Sequence, residues 1–169
     1  MDLTVLYQVS YGMYVVGTQV EGRPVGCLVN TVCQITSENP ILSICINRNN
    51  YTYEAIRQAG RFSLSILSEQ TNPNAIAMFG FASSREKNKF EKFSHFVKDG
   101  LPYLSENSCG YLTCEVLDTI DEETHVVIFA RLVDTAYGEK LPPMTYSHYY
   151  NVIKGKASQN APTYQAPKE

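Results

Sequence analysis

Alternating runs of apolar and polar residues recur along most of this chain, and they constrain its fold more than any other feature. RFSLSIL, residues 61–67, is the clearest example: three apolar side chains fall on one predicted face and two serines on the other, the pattern of a half-buried strand. We count six or seven strands and two or three short helices. The predicted fold class is mainly β with short inserted helices, in a closed or nearly closed, Greek-key-like antiparallel barrel, because closure removes exposed strand edges. An open sandwich is the alternative.

Turn residues mark two hairpins. Gly22 and Pro24 in EGRP follow the run YVVGTQV and precede VGCLVNTV, so the first two strands are predicted to be antiparallel. Further along, CGYLTCEVLDTI and THVVIFARLVDTAY are rich in β-branched and aromatic residues, and an acidic DEE turn separates them. Both runs are predicted strands.

Boundary residues indicate two short helices. YTYEAIRQA is predicted to begin near Asn50 and to close at Gly60, a residue that adopts left-handed backbone geometry easily. TNPNAIAMFG offers Asn72 as a cap and Pro73 at the first helical position. We expect this second helix to stop at Gly80.

Composition limits the class of protein. The chain has 169 residues, 44% of them hydrophobic, which suits one globular domain. Its net charge of −3 provides no basic field for a phosphodiester backbone, so no nucleic-acid partner is expected. No apolar run approaches the roughly 20 residues that span a bilayer, and MDLTVLYQVS lacks the basic start of a signal peptide. We expect a cytoplasmic protein without a membrane partner.

Cysteine and histidine patterns predict no metal site. The five cysteines are an odd number without CxxC spacing, and the three histidines form neither HxH nor HExxH. Cys27, Cys33 and Cys45 lie in apolar strand-like runs, where free thiols are expected to be buried as small hydrophobes.

The junction between a strand and the first helix predicts an anion site. ILSICIN ends at Asn47, and the helix begins near Asn50, where unpaired backbone N–H groups carry partial positive charge. Arg48 adds a guanidinium and Thr52 a hydroxyl. The alternative is that Asn50 or Thr52 only caps the helix and that Arg48 is a solvated surface charge.

The most charged segment, ASSREKNKFEK over residues 82–92, has two interpretations. A run this short is usually a solvated loop or helix face. Alternatively, Ser84, Arg85 and Lys89 curl over an anionic ligand while Phe90 anchors the loop. The sequence contains neither GxGxxG nor GxxxxGK[ST], so a nucleotide-like ligand would have to be held in another way.

The order and spacing of several segments carry a family resemblance, which extends over residues 11–164. The segments are GRPVGCLVNTVCQITSENPILSICINRNNYTYEAI, GRFSLSIL, FGFASSREKNKF, CGYLTCEV, THVVIFARLVD and MTYSHYYNVIKGKASQNAPTY. Together they resemble the flavin reductase-like family of FMN-binding split barrels, and are most similar to flavoredoxin and to the flavin domain of high-molecular-weight rubredoxins. The resemblance implies an FMN-binding split β-barrel that forms a homodimer. We assign residues 1–155 to this domain and 156–169 to an extended tail, poorly anchored unless another subunit holds it.

The resemblance also implies the parts of the flavin site. One stretch would lie along the isoalloxazine ring, with main-chain N–H groups and the Asn30 side chain facing the ring edge. A second stretch would hold the phosphate and ribityl chain, and the charged loop would reach the phosphate end. The implied residues are Val29, Asn30, Thr31, Val32, Asn47, Arg48, Asn50, Thr52, Ser84, Arg85, Lys89 and Phe90.

Three features qualify this assignment. Ser84 and Asn88 stand where the family has Gly and Asp, and a serine is strained in backbone angles that glycine adopts. His125 matches a histidine near the flavin pocket that would tune the flavin or meet the nicotinamide; a hydrogen-bonded barrel histidine is the alternative. A cluster of tyrosines would cover the flavin or pack across the dimer, namely Tyr146, Tyr149 and Tyr150.

The implied function is a flavoprotein oxidoreductase. FMN would accept a hydride from NAD(P)H and pass electrons to free flavin, rubredoxin or another small carrier, so no catalytic side chain is expected. The alternatives are a flavoredoxin-like electron-transfer protein with little NAD(P)H activity and a non-catalytic dimeric ligand-binding barrel. Rubredoxin-fused relatives continue into paired CxxC ligands, whereas this sequence ends at Glu169 without them.

Overall fold

A seven-stranded antiparallel sheet organises the protein, for which the computed structural model describes residues 1–164 apart from the side chains of Leu3 and Thr4. The strands are β1 (Tyr14–Val20), β2 (Arg23–Val29), β3 (Val32–Gln34), β4 (Ile41–Asn47), β5 (Arg61–Leu67), β6 (His95–Lys98), β7 (Leu101–Leu104), β8 (Ser108–Glu122) and β9 (His125–Tyr137). The helices are α1 (Tyr51–Ala59), α2 (Pro73–Phe81) and α3 (Tyr146–Asn151), with 3-10 turns at Leu3–Gln8 and Phe90–Lys92. The large sheet has the order β2-β1-β5-β8-β9-β4-β3, and β6 pairs with β7.

The large sheet curls into a barrel. Val29 lies on β2, at one end of the strand order, and Ile46 lies on β4, next to the other end, yet they belong to one buried hydrophobic cluster with Phe62 and Leu64 of β5. Two distant strands share a core only if the sheet wraps around it. The mainly β barrel predicted from the sequence is therefore confirmed.

A second core lies outside the barrel wall. Along β1, Val16 points into the barrel cluster, whereas its neighbour Val15 packs with Phe79 of α2 and Tyr146 of α3. This follows from the period of two in a strand. The helices thus cover one outer face of the barrel, and this positions α2 and α3 beside the end of β2.

Strand β5 is buried on both faces, which corrects the half-buried prediction. Ser63 and Ser65 are both buried. The Ser63 hydroxyl donates to the carbonyls of Gly17 and Pro102, and the Leu104 N–H donates to Ser65 Oγ. The β6–β7 hairpin therefore covers the serine face, and hydrogen bonds satisfy both hydroxyl groups.

The predicted antiparallel pairing of β1 with β2 is confirmed, although its turn differs in detail. Glu21 and Gly22 form the turn, with φ of 50° and 78°. Pro24 lies inside β2 instead of in the turn. Because β2 is an edge strand, a residue without an N–H is tolerated there.

Both helix predictions hold, with one boundary corrected. Asn50 caps α1 by accepting a hydrogen bond from Thr52 N, and Gly60 closes the helix with φ of 67°. Asn72 caps α2 as predicted, but α2 continues through Gly80 to Phe81. Glycine lowers helix stability without preventing a helix, and tertiary packing decides the boundary.

The cysteine prediction is wrong at Cys33. All five cysteines are free; Cys27 is buried and Cys45 is half-buried, but Cys33 is exposed on the short edge strand β3.

Within residues 1–164, no helix is long and apolar enough to cross a bilayer.

Candidate functional site

A cleft opens where the ends of β2 and β4 meet the start of α1. Its empty volume is about 950 Å³, including the part open to solvent. The barrel and α1 contribute Leu28, Val29, Asn30, Cys45, Ile46, Asn47, Asn49, Asn50 and Tyr51. The opposite wall comes from α2, the segment after it and α3, and contains Phe79, Gly80, Phe81, Ala82, Ser83, Tyr146 and Tyr149.

Asn30 lies at the end of β2 and is 6% exposed. Its Oδ1 accepts a hydrogen bond from the Thr31 hydroxyl at 3.2 Å, and its Nδ2 donates to Thr163 Oγ1 at 3.0 Å. One amide N–H and one oxygen lone pair remain for a ligand.

The first turn of α1 contains an unsatisfied hydroxyl. Thr52 is fully buried, and its Oγ1 has no hydrogen-bond partner among the described residues. The Cys27 thiol lies beside it, but a thiol is a weak partner. A buried hydroxyl at the positive end of a helix retains its capacity to bind an anion.

Lys89 is buried in the same region. It is 2% exposed, and its ammonium donates to the Phe79 carbonyl at 3.3 Å. Burial lowers the pKa of Lys89, and the nearby Cys27 thiol opposes this shift. The ion pairs found in the described part of the chain do not include Lys89. This cation therefore lacks a counterion.

The loop between α2 and Phe90 is fixed to the edge strand β2. Ser84 Oγ donates to the Gly26 carbonyl at 2.7 Å and accepts from the Gly26 N–H at 3.2 Å. Arg23 Nη1 donates to the Ser84 carbonyl at 2.9 Å. Ser84 is not among the residues with positive φ, so the strain expected at this position is absent.

A tyrosine between two arginines forms the outer edge of the α1 side. The guanidinium of Arg85 lies 4.7 Å from the Tyr51 ring centre, and that of Arg23 lies 5.7 Å from it. Arg85 also forms an ion pair with Glu54 at 3.0 Å. Arg23 takes part in none of the ion pairs found among residues 1–164.

The C-terminal tail covers part of the cleft. Residues 156–164 are described, and Tyr164 N–H donates to the Ala161 carbonyl while Asn160 lies beside His125. The tail was expected to be extended and poorly anchored. Contacts with its own domain hold the described part instead, whereas residues 165–169 lie outside the described residues.

Comparison with known proteins identifies the family. The flavin reductase like domain matches residues 6–152. The chain belongs to this family. It is therefore a flavin reductase-like oxidoreductase, as the sequence resemblance implied.

Individual relatives agree with this assignment. The high molecular weight rubredoxin of Moorella thermoacetica is 34% identical over 170 residues, covering 100% of this chain and 74% of the relative. The ferric-chelate reductase (NAD(P)H) of Archaeoglobus fulgidus is 32% identical over 165 residues, covering 97% of this chain and 98% of the relative. Flavoredoxin from Methanosarcina acetivorans has the same fold, with a TM-score of 0.71, 20% identity and coverage of 83% of this chain and 74% of flavoredoxin. The barrel is the split β-barrel of the flavin reductase-like family.

The structure brings together some of the predicted binding residues of this flavin reductase-like protein and separates others. Val29, Asn30, Asn47 and Asn50 line the cleft. Thr52, Ser84 and Lys89 are buried and do not line the cleft: Thr52 lies in α1, Ser84 bonds with Gly26 of β2, and Lys89 donates to Phe79 of α2. Phe90 is buried against Phe79 with ring centres 4.9 Å apart. The role of each of these residues in binding a flavin stays a prediction.

The remaining predicted residues lie at the edge. Thr31 contacts Asn30, and Val32 packs against the barrel core. Arg48 forms an exposed ion pair with Asp121 at 3.2 Å. His125 lies at the start of β9, between the Thr124 hydroxyl and the Asn160 carbonyl.

Sequence reasoning missed one pair of residues beside the site and anticipated a group of tyrosines. Arg23 and Tyr51 carry no distinctive local pattern, since their proximity depends on how β2 approaches α1. Tyr146 and Tyr149 were expected to cover the flavin or pack across a dimer; both are buried and line the cleft, while Tyr150 stacks on Tyr7. Among residues 1–164, no cluster of three or more His, Cys, Asp or Glu side chains could hold a metal ion.

Proposed function

We propose that this protein binds FMN in the cleft and catalyses NAD(P)H-dependent flavin reduction. The observation that carries the proposal is the buried Thr52 hydroxyl, which has no hydrogen-bond partner among residues 1–164, together with the Lys89 ammonium, which forms no ion pair among those residues; both lie beside Cys27. A hydroxyl donor and a cation at the positive end of a helix form a donor set that suits a phosphate monoester. A neutral ligand would leave the Lys89 charge uncompensated.

The phosphate of FMN would therefore lie toward α1, and other groups would support it. Asn47 and Asn50 line this end of the cleft. Arg85 and Arg48 contribute positive charge from the edge, although each is shared with a carboxylate. Ser84 acts by holding the loop on β2, since its hydroxyl bonds with Gly26 in both directions.

The flavin ring would lie toward the end of β2. Asn30 retains one amide N–H for the polar ring edge, and the backbone from Val29 to Val32 runs beside it. Donors at this edge stabilise the negative charge that develops on reduction. When bound, FMN would supply the redox chemistry between NAD(P)H and the acceptor, and the protein would supply position and electrostatics.

The names of relatives support the donor and the cofactor. The Archaeoglobus relative is named for ferric-chelate reduction with NAD(P)H, and a 26% identical relative from Bradyrhizobium diazoefficiens is named FMN reductase (NADH). We propose free flavin, rubredoxin or another small electron carrier as the acceptor. The rubredoxin of the Moorella relative makes a carrier of that class a reasonable candidate.

A flavoredoxin-like electron-transfer protein with little NAD(P)H activity is the second candidate, favoured by the shared fold. A non-catalytic ligand-binding barrel is disfavoured, because the chain belongs to a reductase family.

We also propose a homodimer. Exposed apolar side chains on the β8–β9 hairpin support it, namely Leu117, Ile120, Val133 and Tyr137.

The direct test is the visible spectrum of the purified protein loaded with FMN, followed anaerobically after addition of NADH and then NADPH. Rapid bleaching with either nucleotide would support the reductase and identify its donor. Bound flavin that bleaches only with a reduced carrier protein would favour the electron-transfer protein. Failure to bind FMN would contradict both.

A further inference from the structure

The tail crosses the opening of the cleft instead of leaving the domain. Six of its residues line the same space as the barrel and helix walls: Lys156, Ala157, Ser158, Asn160, Ala161 and Pro162. The empty volume of about 950 Å³ remains beneath and beside them. The tail thus covers the cleft without filling it, as the outer wall of a ligand site would.

Two side chains of the domain hold the first part of the tail by its backbone. The Tyr149 hydroxyl donates to the Lys156 carbonyl at 3.1 Å. His125 Nε2 lies 3.2 Å from the Asn160 carbonyl. Since a carbonyl only accepts, this nitrogen carries the proton and Nδ1 accepts from the Thr124 hydroxyl at 2.8 Å.

Thr163 holds the second part of the tail through its side chain. Its Oγ1 accepts from Asn30 Nδ2 at 3.0 Å. It also lies close enough to Tyr146 to oppose the rise that burial causes in the pKa of the tyrosine. One tail hydroxyl therefore connects the end of β2 to α3, at the residue proposed to meet the flavin ring.

The path into the tail is set by two residues after α3. Lys154 has φ of 60°, which reverses the chain. Gly155 then passes flat against Tyr149, and a Cβ added at Gly155 would lie 2.0 Å from the tyrosine ring. The backbone is thus shaped to bring the tail back over the cleft.

We infer that residues 156–164 are a lid that forms the outer wall of the flavin site, and that Thr163 is the positioning residue that fastens it to Asn30. This inference rests on the proposed function, since FMN is the ligand the lid would cover. A fastened lid slows escape of the flavin and holds the Asn30 amide in one orientation. Its loss should therefore raise the dissociation rate of FMN more than it lowers the association rate.

The test measures association and dissociation rates of FMN with the full-length protein and four variants. Thr163→Val keeps the shape of the side chain and removes the hydroxyl, and we expect FMN to dissociate about five to ten times faster, as loss of one net hydrogen bond predicts. Thr163→Ser restores the hydroxyl and should return the wild-type rate. Gly155→Ala redirects the tail and should also speed dissociation, whereas Thr119→Val, on an exposed strand position, should not.

Limited trypsin digestion gives a second measurement on the same samples. Lys154 and Lys156 are exposed cleavage sites at the start of the lid. FMN should slow cleavage there in the wild type and in Thr163→Ser, and less so in Thr163→Val. If the wild type binds FMN and Thr163→Val shows the same FMN dissociation rate and the same trypsin cleavage as the wild type, the lid is overturned and the proposed function is left intact. Absence of FMN binding by the wild type would overturn both.

Discussion

The Cys27 thiol and the Lys89 ammonium interact in the interior behind the start of α1. Burial shifts the pKa of each group in the direction that favours its uncharged form. Burial raises the pKa of Cys27, and the positive charge of Lys89 opposes that shift; burial lowers the pKa of Lys89, and Cys27 opposes it. A buried cation next to a neutral thiol is poorly compensated. A bound phosphate would supply the missing negative charge.

Replacing Lys89 with methionine should therefore weaken FMN binding selectively. Lys89→Met keeps much of the side-chain length and removes the charge, so the Kd for FMN should rise about tenfold to a hundredfold, the range for a charged hydrogen bond. Lys87→Met removes the same charge from an exposed position in the same loop and is the matched control. Equal effects of the two variants in a fluorescence titration would contradict a specific role for Lys89.

The stability of the FMN-free protein should depend on pH through Lys89. Its pKa is lowered from the ordinary value of 10.5 in the folded protein. Between the folded pKa and 10.5 the unfolded chain binds more protons, so the free energy of unfolding rises with pH across this window. Wild type should thus gain stability relative to Lys89→Met as pH rises toward 10.5. Denaturant unfolding at several pH values would measure the difference in the free energy of unfolding between wild type and Lys89→Met. If that difference does not change with pH, the pKa of Lys89 is not lowered.

Thr52→Val should separate ligand binding from folding. Removing a buried hydroxyl that has no partner should leave the stability of the FMN-free protein unchanged or slightly raised, while the Kd for FMN rises about fivefold to thirtyfold. Thr71→Val is the contrasting variant, because the Thr71 hydroxyl accepts from Ser68 N–H and donates to the Asn107 carbonyl. It should lose about 1–3 kcal/mol of stability with little change in Kd. The opposite pattern would show that Thr52 is structural.

Asn30→Asp tests the proposed ring end of the site. A carboxylate beside the flavin edge would repel the charge gained on reduction, so the midpoint potential of bound FMN should fall by on the order of 30–60 mV. Asn39→Asp, at an exposed turn residue with φ of 46°, adds the same charge away from the cleft. Dye-coupled redox titration measures both variants. An unchanged potential in Asn30→Asp would place the ring elsewhere.

Features that depend on local sequence could be predicted. The Asn50 cap and the Gly60 closure of α1 follow from backbone preferences of neighbouring residues, and the same rules located α2. The same rules predict an anion site at the junction of β4 with α1, and this stays a prediction. Asn47 and Asn50 do line the cleft there.

Features that depend on distant contacts could not be predicted. No local signal showed that Arg23 would reach the Ser84 carbonyl, 61 residues away, or that Thr163 would reach Asn30, 133 residues away. Ser63 and Ser65 were expected to face solvent because their burial comes from the β6–β7 hairpin, about 40 residues later. Arg48 matched the phosphate pattern, yet Asp121 of the β8–β9 hairpin pairs with it.

The cytoplasmic location and the division of the chain at residue 155 stay predictions from the sequence. The contacts of Thr163 with Asn30 and of Asn160 with His125 join the tail to the domain in the described residues. Spacing along the sequence gave no indication of these contacts. A truncation designed at residue 155 from sequence alone would therefore remove part of the cleft wall.

The most direct measurement is the affinity of the flavin-free protein for FMN compared with riboflavin, which lacks only the phosphate. If the phosphate lies against the start of α1 with Thr52 and Lys89, FMN should bind at least about a hundredfold more tightly than riboflavin, as two or more charge-assisted hydrogen bonds predict. That preference should shrink in Lys89→Met. Equal affinity for the two flavins in the wild type would contradict the proposed phosphate site.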